Sequence, residues 1–125
     1  MPNRGYSSSV GPSLGNVLIL AREEVVAALL GLMVEVSGFQ PRFAGGDETA
    51  AAAIHSKQPH AVLVDCDHPE LNDDLMGAIK TSGARPVLFS PRRMEAEVTN
   101  LATQHGANAF TLPIAPEMFV RILKN

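Results

Sequence analysis

The 125-residue chain has one cysteine, Cys66, so no disulfide can close within it and it suits a reducing compartment. Charge is scarce as well: only 18% of residues are Asp, Glu, Lys or Arg, ten basic against thirteen acidic, for a net charge of −3. So few Lys and Arg, in no cluster, argue against a nucleic-acid partner. Long apolar runs are missing. Val25 to Val34 is interrupted by Gly31 and falls short of the ~20 residues of a membrane span. The first fifteen residues, rich in Ser, Gly and Pro, contain no apolar core of a secretion signal. These absences lead to the expectation of a cytoplasmic domain with no membrane partner.

What is present is enough for one core. A chain of this length hides roughly two-thirds of its unfolded surface, and a 46% hydrophobic composition can fill the interior without a metal or disulfide. Residues 1–15 lack the apolar side chains to offset their ordering entropy and read as a flexible tail, leaving 16–125 as the domain. From Asn16 short apolar runs alternate with longer amphipathic stretches. The runs are Asn16 to Leu20, Phe39 to Ala44, Ala61 to Asp65, Pro86 to Ser90 and Ala109 to Leu112. They recur roughly every 20 to 25 residues, the repeat of a strand plus a crossover helix.

The intervening stretches carry helix signals. Glu23 to Ser37 places Val26, Leu29, Leu30, Met33 and Val36 on a 3.6-residue period, and Gly38 suits the left-handed position that follows a helix. Asp47 is the expected cap of an Ala-rich helix over 49–57. Asn72 or Asp73 caps Leu75 to Thr81, with Gly83 closing it. Ser90 then Pro91 reads as cap and first helical residue, with Met94, Val98, Leu101 and Ala102 facing inward and Gly106 at the end. The last helix opens at Pro116. Five such units predict an α/β fold, a doubly wound parallel sheet with helices on both faces. Pro41 cannot donate to a ladder, so the second strand belongs at an edge, as in the flavodoxin-like order 2-1-3-4-5. Ligands then bind beyond the carboxyl ends of strands one and three, where Ala21, Arg22, Glu23 and 65–69 lie.

The run 59–69, PHAVLVDCDHP, resembles the third strand and following loop of response-regulator receiver domains, where a buried strand ends in a phosphoacceptor Asp. Val17 to Leu20, Gly106 to Phe110 and Leu112-Pro113 are similar to the family's first strand, fifth strand and terminal X-Pro. The resemblance implies two-component phosphorelay signalling through protein contacts, without enzymatic activity. Asp65 is then the phosphoacceptor, Ser90 and Phe110 the switch positions, and Leu112-Pro113 a cis peptide. The partner implied is a histidine kinase or downstream protein. A partner or a second copy would meet a face of the fourth helix, fifth strand and fifth helix bearing Arg92, Arg93, Glu97, Thr111 and Met118.

In receivers a bound Mg²⁺ holds the phosphoryl group that the aspartate attacks, which calls for further acidic ligands and a cation. Against that pattern the acidic pair after the first strand is Ala21-Arg22, with Glu23 one residue out of register, and the Lys before the last Pro is Leu112. Asp65 and the backbone carbonyl of Asp67 form a thin ligand set, and Mg²⁺ affinity is expected to be poor. Arg22 is expected to pair with Asp65 in place of the cation. The crevice, lined also by Pro113, would alternatively suit a small-ligand sensor. Other constellations are weaker. Strand alternation sends Cys66 away from Asp65 and Asp67, and His55, His60 and His105 are expected to face solvent. No G-x-G-x-x-G or P-loop follows the first run, so an NTP or dinucleotide role lacks its cradle.

Overall fold

A computed structural model describes residues 13–125. Five strands, β1 (Asn16–Leu20), β2 (Gln40–Phe43), β3 (Ala61–Asp65), β4 (Arg85–Ser90) and β5 (Asn108–Thr111), alternate with five helices. These are α1 (Glu24–Val36), α2 (Ala50–Lys57), α3 (Asp73–Thr81), α4 (Glu95–His105) and α5 (Pro116–Lys124). The sheet is parallel throughout in the order β2-β1-β3-β4-β5. Pro41 sits on edge strand β2, opposite Val17, where its missing N–H costs no central ladder bond. Every residue of β3 is buried, as befits a strand covered on both faces.

Alternation along the strands divides the core in two. Val17, Ile19, Leu63, Val87, Phe89 and Phe110 face α1 and α5, meeting Leu30, Val34, Phe119 and Leu123. Leu18, Val62, Val64 and Leu88 face the opposite layer, with Ile54, Ile79, Val98 and Ala102. Phe110 stacks on Phe89 at 5.6 Å and meets the edge of Phe119 at 5.5 Å.

Several local expectations change. Leu14, assigned to the tail on composition, donates its N–H to Gly38 O, and Gly15 O accepts from Gln40 N–H, so residues 14–15 are docked on the domain. The rest of the expected tail, 1–12, lies outside the described residues. Thr49, not Asp47, caps α2, its hydroxyl accepting from Ala52 N–H at 3.1 Å. In α1 the buried positions are Leu30, Gly31 and Val34, while Leu29 and Val36 are exposed. The inner contact runs through Gly31 because a Cβ there would lie 3.0 Å from the Phe43 ring. His60 stacks on Phe39, and its Nε2 donates to Leu123 O at 2.9 Å. Arg85 Nη2 donates to the same oxygen at 2.6 Å, so both side chains cap the end of α5. His60 itself stays exposed, as expected, whereas His105 is drawn in, 3.7 Å from Asp73 with a largely covered side chain. No helix among the described residues is long and apolar enough to cross a membrane.

Candidate functional site

The carboxyl ends of β1, β3 and β4 converge on Asp65, which is 3% exposed at the end of the central strand. The chain after it winds into a turn built on that residue. Asp65 Oδ1 accepts from Asp67 N–H at 2.8 Å and its carbonyl accepts from His68 N–H at 2.9 Å. Asp65 therefore caps its own loop as well as filling the crevice. Cys66 points into the opposite core layer, as alternation requires, and burial pushes its thiol up to about 11, which leaves it a poor nucleophile.

Ser90 ends β4 fully buried, and its hydroxyl oxygen accepts from Arg92 N–H at 3.1 Å and Arg93 N–H at 2.8 Å. It caps a turn rather than a helix. α4 starts only at Glu95, where the Glu97 carboxylate accepts from Met94 N–H at 3.2 Å. The turn aims both arginines across the crevice instead of along α4. Arg92 donates to Glu23 at the start of α1. Arg93 grips Asp67 in two places, Nη2 to Oδ1 at 2.6 Å and Nε to Oδ2 at 3.3 Å. That fork geometry holds the Asp67 carboxyl below its ordinary range, chiefly through the Arg93 hydrogen bond, with Arg22 adding a smaller attraction.

The expected pair between Arg22 and Asp65 is not formed among the described residues. Arg22 is exposed and lines a cavity of about 310 Å³ with Ala21, Glu23, Phe43, Ala44 and His68, toward β2. The loop from β4 supplies the nearby cations instead. Leu112 is half-buried against the core layer of α1 and α5, and the Leu112–Pro113 peptide is cis. Phe110 is wholly a core residue. Met118, on α5, remains exposed.

Solved structures share this architecture over nearly the whole described chain. A putative response regulator from Chloroflexus aurantiacus matches with a TM-score of 0.71 at 21% identity, covering 89% of this chain and 98% of that one. The signal receiver domain of a modulated diguanylate cyclase from Desulfovibrio desulfuricans gives 0.70 at 19% identity, covering 90% and 92%. This is the receiver fold. The receiver domain of a sensor histidine kinase from Pseudomonas aeruginosa, solved with a magnesium ion coordinated in its active-site cleft, gives 0.69 at 17% identity, covering 88% and 94%. No family model and no curated protein matches the sequence.

The receiver fold raises the question of Mg²⁺, which demands near-octahedral oxygen ligands. Glu23 is committed to Arg92, Asp67 to Arg93, and one Asp65 oxygen to the loop N–H. Among the described residues no three His, Cys, Asp or Glu side chains are grouped so as to hold a metal. The donor set does not fit the ion.

Proposed function

We propose that the chain is a receiver domain of a two-component signalling pathway that acts through protein contacts, with its crevice held in one state by arginine ion pairs instead of Mg²⁺ and a phosphoryl group. Asp65 stands in the place of the phosphoacceptor and Ser90 and Phe110 in the switch positions. The observation that carries the reading is the two-point grip of Arg93 on Asp67, two residues beyond Asp65. It sets a cation on the carboxylate two residues beyond Asp65, and it ties the β4–α4 loop to the β3–α3 loop. Thr111 and Met118 remain on the α4, β5 and α5 face for a kinase or downstream protein, while Arg92 and Arg93 are withdrawn from it.

The test is titration against a panel of purified histidine kinase and phosphotransfer domains, with wild type and Asp65→Asn in parallel. Saturable binding to at least one, unchanged in Asp65→Asn, is expected. Binding to none overturns the reading.

A second reading rests on the cavity of about 310 Å³ beside Arg22, a volume within the range of small-ligand sites. A sensor using it would gain thermal stability with a nucleotide or flavin, by binding only the native state.

A further inference from the structure

Helix α1 is apolar on both sides. Leu30 and Val34 are fully buried against the sheet, yet Val25 and Val36 are 81% and 80% exposed, with Leu29 and Leu32 exposed between them. At 3.6 residues per turn these four fall within about 60° of the circumference, diametrically opposite the buried face. A helix that is apolar all round is ordinarily covered all round, and here the described residues cover only one side. Leu14 and Phe43, also exposed, border the same helix, Leu14 beside Gly38 and Phe43 beside Gly31. Six of the eight large hydrophobic side chains exposed among the described residues thus gather on and around α1, the others being Met94 and Met118.

The stripe also has an internal symmetry. Its spacing is four, three, four, the step of a coiled-coil seam, and the residues read Val, Leu, Leu, Val in either direction. A copy running antiparallel therefore presents the same stripe. Val25 meets Val36 of the second copy, Leu29 meets its Leu32, and the converse pairs follow by two-fold rotation. That is the self-complementarity an isologous interface requires. The stripe contains no charge, and α1 carries no Lys or Arg to match a differently built acidic helix. Its two carboxylates, Glu24 and Glu35, lie on one flank and meet the same flank of the second copy.

We infer that the outer face of α1 is a homodimer interface, in which two copies pair α1 antiparallel about a two-fold axis through Val25, Leu29, Leu32 and Val36. The surface is separate from the crevice, so its occupancy does not depend on the state of Asp65. The helix is about 20 Å long, and a strip of that length falls short of the roughly 800 Å² per partner of a stable interface. The association is accordingly weak and concentration-dependent. The flanking carboxylates oppose it, so added salt tightens it.

Sedimentation equilibrium of the full chain across the micromolar to millimolar range tests this. A reversible monomer–dimer equilibrium is expected, with Leu29→Lys and Leu32→Lys each weakening it about tenfold or more while leaving the circular dichroism spectrum and melting midpoint unchanged, because both positions are exposed. Register is read by oxidation. A mixture of Val25→Cys and Val36→Cys chains is expected to cross-link, and Val25→Cys alone is not, with buried Cys66 staying reduced. A single monomeric mass at every concentration overturns the proposal. So does a dimer indifferent to both lysine substitutions, or one that cross-links through Val25→Cys alone.

Discussion

The crevice at the strand ends and the outer face of α1 both lie at the surface of the same domain, and they settle their side chains in opposite ways. In the crevice Glu23 and Asp67 each have an arginine from the β4–α4 loop, and the buried carboxylate of Asp65 has a backbone N–H. On α1 four large apolar side chains are left exposed by the described residues. The place where receivers do chemistry is satisfied internally, and the place left wanting a partner is a helix face with no chemistry at all.

The contrast between the faces of α1 is broken most forcefully from within. Leu30→Ala removes a fully buried side chain and is expected to cost about 2–5 kcal/mol in urea unfolding. Leu32→Ala, on the outer face, is expected to change the stability of the dilute monomer by no more than about 0.5 kcal/mol. Equal losses would mean that α1 has no outer face.

In the crevice Ser90→Ala strips an acceptor from two backbone N–H groups at a buried position, and a loss of about 1–2 kcal/mol is expected in the same assay. Arg93→Ala is expected to leave stability within about 1 kcal/mol, since the pair is partly exposed. It should nonetheless raise the Asp67 carboxyl toward its ordinary range in a carbon-detected NMR titration, whereas Arg92→Ala should leave Asp67 where it is.

The smallest effect lies away from both regions and serves as their control. Glu48 is lowered from 4.5 to about 2 by the Gly45 N–H first, then by Lys57 and Ser56. A carboxyl with a depressed folded value stabilises the fold above its unfolded value, and that stability disappears as pH falls from about 4.5 through about 2. Glu48→Gln should flatten this part of the acid unfolding profile, with no change in the crevice.

The strands, their order and the place of Asp65 were legible in the sequence, because buried parallel strands are short apolar runs and Pro41 marks the edge. The phase of α1 was not. A helix apolar on both sides has no single amphipathic direction, and its innermost position is Gly31, which carries no hydrophobic signal and is there to let Phe43 approach. Ser90 followed by Pro91 has the form of a helix cap, yet the hydroxyl is spent on the two N–H groups that follow. The arginine latch left no local trace either. Its partners are 69 residues apart for Arg92 and Glu23 and 26 for Arg93 and Asp67, so only the fold brings them together. Arg22, beside the site in sequence, is in no ion pair among the described residues; Arg93 pairs with Asp67, and Asp65 has only a backbone N–H.

Whether the crevice is held by its own arginines is read from intact-mass measurement after incubating the full chain with a small phosphodonor and saturating Mg²⁺. No mass gain in wild type beyond that of Asp65→Asn is expected. A phosphoryl adduct that forms on wild type and is lost in Asp65→Asn would contradict it.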